Sequence, residues 1–358
     1  MVAKLELLGF STTARKMIGN YLTGRQTLCK VNGTTSDPIS LSSGVGEGSV
    51  LGPTLYTLGQ ICVSVVPGMV KEKLVEQHAK ESEALSAEYA DDVTGCMALD
   101  NDDDAQQAAD LLMQEYQRYF SACGLCLNRD KCAVMIIRSK AKTREVIWND
   151  KPEEKKVKLL GVWLDSRYEF TDHVNYLVKI CSYKISSIRK VAHWLTDKNL
   201  LEIVRSFVIS HITYCSEIYL RLLKVRKKIQ KILNAAARLA LRRDRYANCA
   251  VMMRDLKWLN LNNLYKLQLV CTFRRILGNG CAYNTINCLD WQSRTSFRKR
   301  ALKISWMKKN KHGHECFLQA AVRAWNELLL GEQKFPNYET FKEWCQAKLT
   351  SLYGNPNI

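Results

Sequence analysis

The stretch Glu88-Tyr89-Ala90-Asp91-Asp92-Val93 places two adjacent carboxylates within an apolar, β-prone region. Residues 85–90 and 93–99 are short and rich in strand-forming side chains, so they predict a β-hairpin with Asp91 and Asp92 at its tip. Carboxylate oxygens suit Mg²⁺, which binds a few protein carboxylates together with substrate phosphates. The stretch therefore predicts phosphoryl or nucleotidyl transfer by two metal ions. The alternative is an ordinary turn, because Asp favours turn positions in many proteins.

The composition predicts a globular protein with a polyanionic partner. The 358 residues are 47% hydrophobic and 25% charged, which suits a folded chain of about two or three domains. The formal net charge of +18 favours nucleic acid over a membrane surface as the partner. The 14 cysteines are scattered along a chain without a signal peptide. This pattern predicts an intracellular, reducing location, in the nucleus or cytoplasm.

Residues 50–70 form an uncharged run of 21 positions, which is long enough to cross a bilayer. Glycine, proline and polar side chains interrupt it, so we predict a buried helix of a soluble protein and no membrane partner. The glycine-rich residues 44–53 overlap its start and would let the backbone approach a ligand closely. An ordinary glycine loop is the alternative, because the spacing matches no known nucleotide fingerprint.

The remaining pattern predicts an α+β region followed by helices. Apolar side chains at helical spacing run from Ala105 to Cys123, and Gly124 ends this helix. Residues 131–137 and 157–164 are predicted strands. With the hairpin, they predict an antiparallel sheet backed by helices. From Asp172 onward the apolar spacing is helical.

Residues 221–245 contain ten basic residues and one acidic residue, a local balance of +9. At about 100° per residue, the apolar side chains share one helix face and the basic side chains share another. The scarcity of acidic residues favours phosphate contact over a merely solvated surface. This basic face comprises Lys224, Lys227, Lys228, Lys231, Arg238 and Arg242.

Cysteine and histidine patterns do not predict a zinc or redox site. Cys123 and Cys126 form a lone C-x-x-C pair without a second pair nearby. His312, His314 and Cys316 have a spacing that matches no common zinc finger.

Several segments, in their order along the chain, resemble the reverse transcriptases of non-LTR retrotransposons, of the kind encoded by jockey-like and related elements. Residues 44–53, G-V-G-E-G-S-V-L-G-P, are similar to the family's G-V-P-Q-G-S-V-L-G-P, and residues 89–92 to its Y-A-D-D. Residues 124–131 match G-L-x-x-N-x-x-K, and residues 159–165 are similar to its primer-grip segment. Shorter matches at residues 234–238, 256–259, 324–328 and 341–342 extend the resemblance over nearly all of the chain.

The resemblance implies a partial polymerase palm in residues 1–170, a helical thumb in residues 171–277 and a C-terminal helical region in residues 278–358. It implies an RNA-directed DNA polymerase that uses Mg²⁺, an RNA template and DNA primer or an RNA:DNA hybrid, and dNTPs. Asp91 and Asp92 would bind the metal, and the basic face would follow the nucleic-acid backbone. The other implied site residues are Glu47, Gly48, Ser49, Asn128 and Lys131 for nucleotide and template, and Leu160 and Gly161 for the primer.

Two departures from the family pattern lead us to expect an N-terminally truncated chain that is inactive by itself. Glu47 stands where the family has Gln, and its negative charge should weaken binding of a polyanionic substrate unless a metal ion or a lysine neutralises it. The family's further metal-binding Asp would lie upstream of Met1, and a two-metal site without it loses most of its charge stabilisation. One alternative is a remnant that binds RNA or RNA:DNA hybrid without catalysis. Another is a product that folds poorly because a sheet edge is exposed.

Overall fold

A computed structural model describes residues 2–42, 44–46, 48–60, 63–75, 84–99, 104–137, 146–148, 151–279, 289–293, 300–304, 317–328 and 335–351. The chain divides into two compact units, residues 1–157 and residues 158–358. Helices and small antiparallel sheets form both, so the predicted α+β class is confirmed. The assignment of palm, thumb and C-terminal region stays a prediction.

The described part of the first unit combines short hairpins with helices. Its helices are Val2–Leu7, Thr12–Leu22, Gly52–Gln60, Val66–Val75 and Asp104–Ala122, with 3-10 turns at Val63–Val65 and Arg129–Lys131. Its strand pairs are Arg25–Thr27 with Ile39–Leu41, Lys30–Val31 with Thr34–Thr35, Ala84–Tyr89 with Asp92–Met97, and Ile147–Trp148 with Lys151–Pro152. Every sheet among the described residues has two strands, so the larger predicted sheet is not seen there.

The strand predicted at residues 131–137 is wrong. Residues 132–137 belong to no strand, although the backbone N–H of Glu154 donates to the Val134 carbonyl oxygen at 2.7 Å. Val134 and Ile136 instead pack against a cluster of buried side chains that includes Ala105 and Ala109. Their apolar character therefore reflects packing on a helix rather than a strand ladder.

The helix Asp104–Ala122 is formed as predicted. Its buried face includes Ala108, Met113 and Phe120, which recur at helical spacing. Gly124 follows the helix with φ +73, and the backbone N–H of Leu125 returns to the Phe120 carbonyl oxygen at 2.8 Å. Glycine suits this position because it adopts a left-handed conformation without strain.

The uncharged run forms two helices, Gly52–Gln60 and Val66–Val75, rather than one. The stretch Gly52–Leu74 is long and apolar enough to cross a membrane by length and composition alone. The core helix of a soluble protein passes the same test, and Leu55, Val66 and Val70 are buried.

The strand predicted at residues 157–164 is a hairpin instead. Strand Lys156–Leu159 pairs with strand Val162–Asp165, and Leu160 and Gly161 form the turn with φ +44 and φ +86. Positive φ at both central residues gives the tight turn that matches the twist of paired strands. The apolar pattern on both sides of Gly161 is therefore shared by two strands.

The described part of the second unit is mainly helical, as predicted from Asp172 onward. One large core joins apolar faces of the helices from Thr171 to Leu261, and a second core joins the later helices. Thr196 caps the helix Asp197–Val204, since its Oγ1 accepts the N–H of Asn199 at 3.3 Å. The helices are Thr171–Val191, Asp197–Val204, Ser210–Thr213, Ser216–Tyr219, Leu223–Ala240, Cys249–Asp255, Leu261–Asn279, Phe317–Leu328 and Tyr338–Ser351. A 3-10 turn at Ala192–Trp194, a π-helical turn at Arg205–Ile209 and the strand pair Leu289–Ser293 with Arg300–Ile304 complete it.

Candidate functional site

The predicted aspartate hairpin is present, with strands Ala84–Tyr89 and Asp92–Met97. Tyr89 lies opposite Asp92, so Ala90 and Asp91 alone form the turn. Ala90 has φ +52, the left-handed conformation that a two-residue hairpin turn requires. Asp91 therefore lies in the turn, and Asp92 begins the second strand. Both aspartates are exposed, as a ligand site requires.

The two faces of the aspartate hairpin differ. Val93 and Gly95 lie on the face that packs towards helix Asp104–Ala122. A Cβ at Gly95 would lie 2.7 Å from the Tyr116 Oη, so any larger residue would require the Tyr116 ring to shift. Side chains alternate along a strand, which puts Asp92 and Tyr89 on the opposite face. Tyr89 is 67% exposed, so this face is open to solvent in the described residues.

Tyr56 is a residue near the hairpin tip that sequence reasoning missed. It lies on helix Gly52–Gln60, and the pKa of its hydroxyl is raised by burial and then by the negative charges of Asp91 and Glu88. Partial desolvation also raises the pKa of Glu88. Tyr56 therefore keeps its proton at neutral pH and can act as a hydrogen-bond donor beside the carboxylates. The one feature of the sequence that could have identified Tyr56 is its hydroxyl group on a helix without charged residues.

Asp91 and Asp92 provide the oxygen ligands that Mg²⁺ prefers. Neither carboxylate has an ion pair or hydrogen bond within the described residues. However, no group of three His, Cys, Asp or Glu side chains in that part of the chain is arranged to hold a metal ion. The donor type therefore fits Mg²⁺, but the number of donors falls short. The histidines and cysteine considered for zinc, His312, His314 and Cys316, lie outside the described residues.

The backbone of the glycine-rich loop is closely packed, while its approach to a ligand stays a prediction. Gly48 has φ +74, and a Cβ at Gly52 would lie 3.0 Å from the Ser49 Oγ. The Ser49 Oγ is buried and has no hydrogen-bond partner in the described residues. Arg25 donates from Nη2 to the Gly44 carbonyl oxygen at 2.6 Å, which ties down the start of the loop. Glu47 lies outside the described residues.

Asn128 and Lys131 are the other predicted nucleotide and template residues. Asn128 precedes a 3-10 turn, and Lys131 is its last residue. Both side chains are exposed, and the Lys131 N–H donates to the Asn128 carbonyl oxygen at 3.2 Å. The structure thus leaves the Lys131 ammonium group accessible to a phosphate, while its role stays a prediction.

The predicted primer residues Leu160 and Gly161 form the turn of their hairpin. The Tyr214 hydroxyl donates to the Leu160 carbonyl oxygen at 2.7 Å, and a Cβ at Gly161 would lie 3.6 Å from the Tyr214 ring. Sequence reasoning did not identify Tyr214, which lies 54 positions further along the chain.

The predicted basic helix spans Leu223–Ala240. Its apolar face is buried as predicted, with Val225, Ile229 and Leu233 in the core. Lys227 and Lys231 are exposed and have no hydrogen bond or ion pair among the described residues. They are therefore accessible cations on the basic face.

Other members of the basic face already contact protein groups. Lys224 pairs with Glu169 at 3.2 Å, and Lys228 donates to the Asn175 Oδ1 at 3.0 Å. Arg238 donates from Nη2 to the Cys249 Sγ at 3.3 Å.

Arg242 lies beyond the end of the basic helix and has three protein partners. Its Nε pairs with Asp197 Oδ1 at 2.8 Å. Its Nη2 donates to the carbonyl oxygens of Ala192 at 3.0 Å and Leu195 at 2.6 Å. This side chain therefore has a structural function of its own.

A comparison with known protein families gives a match that includes the aspartate hairpin. A family model described as "Reverse transcriptase (RNA-dependent DNA polymerase)" matches residues 3–164. This segment is similar to reverse transcriptases. It contains the aspartates, the glycine-rich loop and the Leu160–Gly161 turn, whereas the basic helix lies after its end.

One protein similar to this chain is described as coming from a transposon. The chain is 24% identical over 252 residues to a Drosophila melanogaster protein described as "Probable RNA-directed DNA polymerase from transposon X-element". The match covers 67% of this chain but 26% of the relative, so the chain spans about a quarter of that protein's length. The resemblance to non-LTR retrotransposon reverse transcriptases is confirmed.

Proposed function

We propose that this chain provides the polymerase part of a transposon RNA-directed DNA polymerase, which joins dNTPs to a primer on an RNA template. The adjacent Asp91 and Asp92 carboxylates, exposed at the tip of a hairpin within the matched segment, carry this proposal. A nucleic-acid partner agrees with the net charge of +18. A location in the nucleus or cytoplasm is part of the proposal.

Asp91 and Asp92 would hold Mg²⁺ together with at least one further ligand from outside the described residues. A divalent metal in this position stabilises the negative charge that develops during phosphoryl transfer. Lys131 would attract incoming phosphates, and the rigid Leu160–Gly161 turn would support the primer end.

Primer extension on an RNA template, with Mg²⁺ or Mn²⁺, tests the catalytic proposal. We expect the chain by itself to extend a primer poorly, because its described residues supply two carboxylates and not three. Mn²⁺ binding measured by electron paramagnetic resonance provides a readout that does not need activity. Asp91→Asn should weaken Mn²⁺ binding, whereas Asp110→Asn, an exposed carboxylate on helix Asp104–Ala122, should leave it unchanged.

The outcomes separate the two parts of this proposal. Robust synthesis that depends on Asp91 would show that the chain has a complete site and would overturn the expected inactivity. If Asp91→Asn leaves Mn²⁺ binding unchanged, the proposal that the aspartates bind the metal is overturned.

A second candidate function is binding of RNA or RNA:DNA hybrid without catalysis. The exposed, unpartnered Lys227 and Lys231 among the described residues of the basic face support it. Binding through phosphates releases counterions, so affinity should fall steeply with salt. A hybrid affinity that does not change with salt would contradict this candidate.

A further inference from the structure

A cleft of about 210 Å³ in the second unit is lined mainly by aromatic side chains. Tyr168, Phe170, Tyr265 and Phe317 supply the rings, and Glu217 and Arg221 supply charges of opposite sign. Pockets for drug-sized ligands measure about 300–1,000 Å³, so this aromatic cleft suits a smaller planar group. We propose that the aromatic cleft binds one unstacked nucleobase of a single-stranded nucleic acid, with a preference for guanine.

One wall of the aromatic cleft is held in place before any ligand binds. Tyr168 and Phe170 follow strand Val162–Asp165, and their ring centroids lie 6.2 Å apart. The Asp165 carboxylate accepts backbone N–H groups from Arg167 at 3.1 Å, Glu169 at 3.0 Å and Phe170 at 2.6 Å. A preformed wall loses little conformational freedom on binding, which favours affinity.

Arg221 brings hydrogen-bond donors to the aromatic cleft. Its guanidinium carbon lies 6.0 Å from the Tyr168 ring centre and 5.9 Å from that of Phe170. Its Nη2 lies 3.5 Å from the Tyr168 carbonyl oxygen, while its Nε is buried and has no hydrogen-bond partner in the described part of the chain. A buried donor of a charged group without an acceptor is costly. A ligand with acceptor atoms would therefore find an available guanidinium.

Glu217 brings an oriented acceptor to the same cleft. The Thr272 hydroxyl donates to its Oε1 at 3.1 Å, whereas its Oε2 has no hydrogen bond among the described residues. Tyr265 contributes a neutral ring, because burial raises the pKa of its hydroxyl despite nearby arginines. The guanidinium carbon of Arg226 lies 4.8 Å from the centre of that ring.

These groups match the edges of guanine. Unstacked bases bind proteins by stacking on aromatic side chains and by hydrogen bonds along their edges. The O6 and N7 of guanine accept hydrogen bonds from arginine. Its N1–H and amino group donate, and a carboxylate such as Glu217 can accept both. Uracil has no amino donor, so it satisfies fewer of these groups.

The aromatic cleft also adjoins the basic helix in the chain and in space. Arg221 precedes Leu223, the first residue of that helix, by two positions. Lys224 pairs with Glu169, the neighbour of Phe170. A strand whose phosphates follow the exposed lysines could thus place one base in the cleft. This inference rests on the proposed binding of nucleic acid.

Fluorescence anisotropy with the full chain tests the proposal. The probes are two labelled RNAs. One consists of 12 uridines, a length on the order of the site size of a single-strand-binding domain, and the other is the same RNA with one central guanosine. We expect the guanosine to lower Kd about tenfold, because guanine offers Glu217 an amino donor that uracil lacks. Glu217→Gln should abolish this preference, so that the two RNAs bind with equal Kd. Glu202→Gln, in the exposed pair with Arg205 at 3.0 Å, is the matched control.

A second variant keeps the test decisive if Glu217→Gln does not fold by circular dichroism. Tyr265→Leu removes a stacking ring, and Tyr265→Phe keeps it. Loss of the guanosine preference in the leucine variant only would support the cleft. Loss in both or in neither would overturn it.

Failure of the cleft and failure of nucleic-acid binding are distinguishable. Equal, salt-dependent affinity for both RNAs would overturn the cleft and preserve the proposed nucleic-acid partner. If neither RNA binds, the nucleic-acid partner is overturned, and calorimetry with guanosine monophosphate then decides the cleft. Heat that disappears in Glu217→Gln would support the cleft, and absence of heat would overturn it.

Discussion

Tyr214 donates its hydroxyl hydrogen to the Leu160 carbonyl oxygen at 2.7 Å, across 54 positions of sequence. The bond ties a helical segment to the turn that the family resemblance assigns to the primer. Because Leu160 has φ +44, the turn depends on contacts of this kind to stay in one conformation.

Tyr214→Phe removes this hydrogen bond and keeps the ring. We expect the free energy of unfolding to fall by about 0.5–1.5 kcal/mol, the net value of one such bond. Urea denaturation measures the change. Tyr183→Phe is the control, because Tyr183 is 72% exposed and its hydroxyl has no partner in the described residues. Equal effects of both substitutions would contradict the structural role of Tyr214.

Gly161→Ala should destabilise the hairpin turn. Its φ of +86 strains any residue with a Cβ, although the nearest atom would be an uncrowded 3.6 Å away. The expected cost is about 1–2 kcal/mol. Gly68→Ala, in helix Val66–Val75 with open space around it, should be neutral or stabilising by about 0.5–1 kcal/mol. Thermal denaturation measures both changes in stability. A loss of stability in both variants, or in neither, would contradict the requirement for glycine in the turn.

Glu115 is 6% exposed and pairs with Lys73 at 2.6 Å and Arg118 at 3.1 Å. Glu115→Gln leaves both cations without their carboxylate, and we expect a loss of about 1–3 kcal/mol. Glu202→Gln breaks a solvent-exposed pair and should cost less than about 1 kcal/mol. Urea denaturation of both variants distinguishes a buried pair from a surface pair; a smaller loss for Glu115→Gln would refute the burial argument.

The stability of the protein should decrease as pH falls from about 6.5 to about 4, because of His173. Burial lowers the pKa of this imidazole from 6.5 to about 4 in the folded state, so the unfolded chain binds the proton more readily. The contribution of His173 to the free energy of unfolding is therefore fully present above pH 6.5. At pH 4 the free energy of unfolding is lower by about 3 kcal/mol, because the unfolded chain binds the proton. His173→Gln should reduce this pH dependence in denaturation curves. The exposed His193→Gln should not, and an unchanged profile in both would argue against His173.

Lys231→Ala should affect RNA binding, whereas Arg242→Ala should affect the stability of the fold. Lys231 is exposed and without a partner among the described residues, so its loss should weaken RNA binding and reduce the salt slope by about 0.9. Arg242 bonds to Asp197, Ala192 and Leu195, so its loss should lower stability by about 1–3 kcal/mol. Anisotropy and denaturation on both variants test this division; a weaker salt slope from Arg242→Ala alone would reverse it.

Local patterns predicted several elements correctly because their causes are local. The hairpin around Asp91 follows from strand-forming residues on both sides of a turn, and helix Asp104–Ala122 follows from apolar spacing. The strands predicted at residues 131–137 and 157–164 were wrong. An apolar run does not show whether another strand pairs with it or whether a turn divides it into two strands.

The sequence by itself determined the pair of exposed carboxylates, the amphipathic basic helix and the order of motifs that identifies a reverse transcriptase segment. Only the tertiary structure decided that the charge of Asp91 raises the pKa of Tyr56 and that Arg242 is bound by protein groups. It also decided that Phe170, Glu217 and Tyr265 share one cleft. The physical reason is that periodicity and turn chemistry act between near neighbours in the chain. Contacts between distant residues depend instead on how the helices and hairpins pack.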